Sequence, residues 1–219
     1  ALQGNSRLGA RVKADNVSGR IELALPSSNT HDAEVGTRLI YGDWKFSDAG
    51  TLRVGKGYTP TSQFISGQVF GEDLGLLGVG TNYARRPGSL QLFFGGFEVA
   101  LIEASNAERG GFTGGDLDRY LPKIEAKYGM SLDAFSFNVM GGYQLITYED
   151  TPGVNGPEDV DVSSYIIGAD VGFNFGPAYV KVAGSYGENW ANARWSDLGY
   201  VSNAAAAGQF DGDDDVDDS

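Results

Sequence analysis

The strongest constraint in this chain is an alternation of period two that keeps recurring, broken by connections of two different lengths. Over residues 7–15, Leu8, Ala10, Val12 and Ala14 share one face, while Arg7, Gly9, Arg11, Lys13 and Asp15 share the other. Successive side chains point to opposite sides only in an extended strand, so the segment predicts a β-strand with one apolar and one polar face. After a turn at Asp15-Asn16, Val17, Gly19, Ile21, Leu23 and Leu25 return on the apolar face. Ser18, Arg20, Glu22 and Ala24 lie on the polar one. Residues 38–46 and 52–54 repeat the plan, with Trp44 and Phe46 against Asp43, Lys45 and Arg53.

Three further hairpins follow. Leu90, Leu92 and Phe94 lead through Gly95-Gly96, a two-residue hairpin signal, into Phe97, Val99 and Leu101, with Glu98 opposite. Ile124, Ala126, Tyr128 and Met130 oppose Lys123, Glu125 and Lys127; Phe135, Phe137, Val139, Gly141, Tyr143 and Leu145 oppose Asn138, Gly142 and Gln144. Tyr165, Ile167, Ala169, Val171, Phe173 and Phe175 oppose Asp170 and Asn174, and Val180, Val182 and Tyr186 return against Lys181 and Ser185. The predicted fold class is all-β and antiparallel, about ten strands.

Short turns fall near 15–16, 47–50, 95–96, 131–133 and 176–177. Long loops fall near 26–34, 55–87, 104–118, 149–162 and from 187 on. Short turns at one end and long loops at the other are the pattern of a transmembrane β-barrel; a soluble sandwich rarely keeps that succession. Outward aromatics beside the short turns (Trp44, Phe46, Phe135, Phe137, Phe173, Phe175) suit an interfacial girdle. The mean hydropathy of -0.23 agrees, because only one face of such a wall is apolar. No run of about 18 apolar residues provides a helical span.

Other function classes fall away. The net charge of -13 argues against nucleic acid as a partner. Cysteine is absent, which removes disulfides and thiolate metal sites. The single histidine, His31, stands in a polar stretch with no Ser/His/Asp set or metal cluster around it, so no enzyme is expected.

In a barrel the polar face lines water, where charges cost little and set selectivity; facing lipid at the midplane they would cost about 2–4 kcal/mol. Arg7, Arg11, Lys13, Arg20 and Arg53 on the early strands, Arg85 and Arg86 before the fifth, and Lys123 and Lys127 on the seventh are the candidate lining cations. Residues 55–87 lack clear alternation but carry Phe64, Ile65, Val69, Phe70, Leu74, Leu76 and Leu77, too apolar for disorder. That segment is expected to fold inward, where Glu72 and Asp73 would face the arginine-rich wall and set up a transverse field.

Residues 36–42 (GTRLIYG), 50–56 (GTLRVGK) and 85–92 (RRPGSLQL), with the long insertion between the last two, resemble the general porins of Gram-negative bacteria. The likeness is nearest to porins of sulfate-reducing bacteria and covers most of the chain. It implies barrels of about sixteen strands assembled as trimers, and a third extracellular loop folded into the lumen. It also implies an outer-membrane location, contact with lipid and lipopolysaccharide, and passive diffusion of small hydrophilic solutes and ions without a resident cofactor. Against that pattern the chain is expected to be one domain over 1–219, with about ten of sixteen strands and the C-terminal part of the barrel incomplete.

An adhesin or structural anchor that binds a partner through its long loops is the alternative. The acidic run at the end places Asp211, Asp213, Asp215 and Asp217 as candidate Ca²⁺ ligands. Its spacing is not that of a helix-loop-helix calcium site, and a solvated acidic tail is the competing reading.

Overall fold

A computed structural model describes residues 6–25, 35–63, 82, 86–104, 117–153, 156–190, 193–195, 209–210 and 216–217. No helix among them is long and apolar enough to cross a membrane, which says nothing about strands.

The strands are β1 (Arg7–Ala14), β2 (Val17–Ala24), β3 (Gly36–Lys45), β4 (Gly50–Lys56), β5 (Gly88–Phe94), β6 (Phe97–Ile102), β7 (Leu117–Asp118), β8 (Lys123–Ser131), β9 (Phe135–Gly153), β10 (Gly156–Asn174) and β11 (Tyr179–Glu188). They form one antiparallel sheet in the order β1-β2-β3-β4-β5-β6-β8-β9-β10-β11. The two-residue β7 pairs with β9 off that path. Each strand on the path lies beside its sequence neighbour, the up-and-down meander that short turns favour. In the first turn Asp15 takes a left-handed conformation, φ 48°, that Asp tolerates better than most residues.

Alternation has turned into two faces. Leu8, Val12, Ile21, Ile40, Val54, Leu90, Leu101, Ile124, Val139, Ile167 and Val182 are all exposed on one of them. In a water-soluble fold such a surface would be an interaction patch; on a barrel it is the lipid face. The aromatics line its short-turn end. Phe97 and Tyr128 stack with centroids 4.6 Å apart, Tyr128 lies 5.9 Å from Phe137, and Phe135 joins Phe137 at 6.0 Å and Phe173 at 5.2 Å. These rings run laterally from β6 to β10, as an interfacial girdle does.

One expectation is corrected. Residues 149–153 and 156–162 are strand and not loop: β9 and β10 are 19 residues each, and their pairing continues to Gly153↔Gly156 with a shift between Glu158 and Val160. A membrane strand needs only about 9–11 residues, so this hairpin is longer than a span would require. In water a strand requires no apolar face, which is why the alternation signal stops although the ladder continues. Beyond β11, β12 (Gln209–Phe210) pairs with β13 (Val216–Asp217). Tyr120 lies between β7 and β8.

Candidate functional site

The polar, inner face is where the charges and the non-strand segments meet. On β1–β4 the basic residues are interleaved with acids. Glu22 accepts hydrogen bonds from Arg20 and, at 3.1 Å, from Arg38 Nε, and Arg7 Nη1 lies 3.9 Å away. Arg53 grips Asp43 with both prongs of its fork, Nε to Oδ1 at 2.7 Å and Nη2 to Oδ2 at 3.0 Å. The planar guanidinium matches a carboxylate in this arrangement. Its flat faces are covered as well, with Tyr41 3.9 Å and Phe93 4.9 Å from Arg53 Cζ to ring centroid. Asp43 and Arg53 are register partners on β3 and β4, so alternation itself brings them together. Lys127 pairs with Glu98 across β6 and β8 in the same way.

Arg11 and Lys13 differ. Arg11 sits directly opposite Arg20, Lys13 opposite Ser18, and both are exposed on the inner face near the short-turn end. Two like charges held opposite each other repel, which favours keeping Arg11 extended into water. Arg86 lies 5.5 Å over the Tyr58 ring. Arg85, Glu72 and Asp73 lie outside the described residues, as do Asp211, Asp213 and Asp215; Asp217 is described only as part of β13. Among the described residues no group of three or more potential metal ligands comes together.

Lys123 is on the inner face as expected, but it is not a water-lining cation: only 2% of it is exposed. The chain beyond β11 covers it, with Lys123 Nζ donating to the Ala193 carbonyl at 3.0 Å and lying 3.4 Å from Glu125 Oε1. Glu125, beside it on the same strand face, is fully buried. Its Oε2 accepts from Thr61 N–H at 3.1 Å and Thr61 Oγ1–H at 2.8 Å, and its Oε1 accepts from Trp195 Nε1–H at 2.8 Å. Alternation places Glu125 inward, but nothing local marks it as the point where three distant segments join.

The segment leaving β4 makes the longest traverse. Gly55, at the end of that strand, has φ 134°, a conformation L side chains rarely adopt. Gly57 N–H donates to Pro87 O at 3.2 Å, which closes the base where the chain leaves and rejoins the wall. The Tyr58 carbonyl then accepts from Gln91 of β5 at 2.8 Å, Thr61 reaches Glu125 of β8, and Gln63 Nε2 donates to Ala169 O of β10 at 3.4 Å. Asn82 returns beside it: Gln63 N–H donates to Asn82 O at 2.8 Å, and Ser185 Oγ of β11 donates to Asn82 Oδ1 at 3.1 Å. Thr59, Thr61, Gln63 and Asn82 are all buried. Buried polar side chains are usually hydrogen-bonded: Thr61, Gln63 and Asn82 Oδ1 find partners on strands far away in sequence, while Thr59 Oγ1 and Asn82 Nδ2 have none among the described residues.

No protein-family model matches this chain, and no curated protein matches it in sequence. Among solved structures, the outer membrane channel DcaP of Acinetobacter baumannii superposes with a TM-score of 0.72 at 13% identity. The match covers 98% of this chain and 58% of that one, so the chain spans little more than half the length of the channel it resembles. At that identity the likeness is one of fold. The chain is all-β, an antiparallel sheet whose fold matches that of an outer membrane β-barrel channel.

Proposed function

We propose that the protein is a porin-like outer-membrane channel for passive diffusion of small hydrophilic solutes and ions, with residues 55–87 as its constriction. One observation carries the reading. Residues 57–63 run along the polar face from β5 to β10, hydrogen-bonded to the wall as they go, which supports an insertion that enters on the lumen side. A segment across a water-filled barrel narrows it, and the lining charges then act at close range on what passes.

The sheet leaves β1 and β11 as its two edges. In lipid an open edge leaves backbone groups unsatisfied, so the working channel pairs both with further strands. The wall is not a uniform basic surface, because Arg20, Arg38 and Arg53 face acids at hydrogen-bonding distance. Selectivity therefore rests most on Arg11 and Lys13, which are exposed on the inner face and make no ion pair among the described residues.

Reconstitution in planar bilayers tests the reading. Stepwise ohmic conductance is expected, and replacing Arg11 and Lys13 together by Gln should move the reversal potential in a salt gradient toward cation preference. Gln at Arg53 should move it in the same direction, because Asp43 is then left as an unneutralised carboxylate on the lining. A protein that folds but gives no steps would favour the anchor reading. An unchanged reversal potential for the Arg11 and Lys13 variant would remove those side chains from the pathway.

A further inference from the structure

Resting on the channel reading above, we infer that Asn189, Trp190 and residues 193–195 belong to a second constriction element, seated on the inner wall by Trp195 and locked to the first through Glu125. The segment turns sharply at both ends, Asn189 at φ 47° and Arg194 at φ 55°. Trp195 N–H donates to the Trp190 carbonyl at 3.1 Å, which folds the segment back on itself. Asn189 Nδ2 ties its start to the wall by donating to Ser163 O of β10 at 3.1 Å.

The wall beneath is shaped for the ring. Register places Gly142 of β9 opposite Glu125 on one side and Ala100 of β6 on the other, so two small residues flank the carboxylate. The indole fills the recess over Gly142: a Cβ added there would lie 2.6 Å from Trp195 Cζ2 and 3.0 Å from Cε2. Trp195, Ala193 and Ile166 form a hydrophobic cluster with at most 1% exposure, and Trp190 packs against it. A buried apolar cluster on a face that elsewhere carries Arg, Lys, Asp and Glu is a place from which water has been excluded.

Both insertions end on the same buried carboxylate. Thr61 of the first holds Oε2, Trp195 of the second holds Oε1, and Lys123 bridges Glu125 to the Ala193 carbonyl. Removing either insertion would leave a buried charge short of partners, which is costly. The two elements are thus positioned as a unit, and Trp195 is a positioning residue for the aperture.

The test is single-channel conductance with a solute-size cut-off from liposome swelling, on wild type, Trp195→Ala, Gly142→Val and Trp195→Phe. Opening the lumen by about the width of one ring should raise unit conductance roughly 1.5- to 2-fold in the first two variants and admit larger sugars. Trp195→Phe keeps an aromatic ring but loses the Nε1–H bond to Glu125, so its conductance should fall between those of wild type and Trp195→Ala. Heat-modifiable mobility on gels should stay unchanged, because the lipid face is untouched. Wild-type steps with the same conductance and cut-off in folded Trp195→Ala would overturn the inference and leave the channel reading intact. So would Trp195→Phe behaving like Trp195→Ala. Absence of steps in the wild type would overturn the channel reading itself.

Discussion

Replacing Ile21 by Arg should cost about 2–4 kcal/mol, while the same change at Val17 on the same strand should cost about 0–1. Both side chains stand on the outward face, 39% and 51% exposed, so in water neither change would cost much. The difference comes from depth. Ile21 is the fifth residue after the Asp15-Asn16 turn. At about 3.3 Å per residue and a tilt of about 40°, that places it about 13 Å above the turn. The apolar band of an outer-membrane barrel is about 25 Å tall, so Ile21 sits close to the midplane and Val17 at the rim. Ile40, its register partner on β3, and Ala10 on β1 surround it with apolar groups that offer a guanidinium nothing. Reversible denaturant titration of the protein folded into phospholipid vesicles measures both values on one scale. Equal costs at the two positions, or a cost below about 1 kcal/mol at Ile21, would refute the placement of this face in lipid.

Two further outcomes are expected. The chain has no cysteine, so single substitutions report cleanly: Cys at Lys13 should react with a charged methanethiosulfonate in membranes, Cys at Val12 should not, and equal labelling would contradict the register of β1. The Asp118 carboxyl, held below the usual range by its hydrogen bond from Tyr120 and then by Glu149, stabilises the β7–β9 contact above its unfolded pKa. That contribution should fade as pH falls through the lower folded value. The Tyr120 hydroxyl, pushed up to about 12 chiefly by the same bond, keeps its contribution below its unfolded pKa and loses it as pH rises through the folded one. Amide exchange at Leu117 and Asp118 should therefore quicken toward both extremes, and a pH-independent protection pattern would count against the contact.

The wall was legible because period two is a local property. Each residue of β1, from Leu8 out to Lys13 in, declares its face by its own chemistry, and a one-residue slip would put arginines into lipid. The Asp43–Arg53 and Glu98–Lys127 pairs were nearly as legible, since consecutive antiparallel strands bring set positions together once the turns are known. The β9–β10 extension was not: beyond the membrane the strands are polar on both faces, and backbone pairing leaves no trace in side-chain pattern. Lys123 misled for a related reason. Alternation says which face a side chain takes but not what lies on top of it, and here the chain some 70 residues later covers it.

What the residues determined alone is the two-faced antiparallel wall, because strand periodicity and the cost of charge in lipid act on each position separately. What only the tertiary structure decided is the content of the lumen: residues 57–63 crossing from β5 to β10, and Trp195 settling over Gly142 on the buried Glu125. Those contacts join positions 33 to 106 residues apart. They depend on a recess that exists only once the wall has curved around it, so no stretch of sequence could announce them.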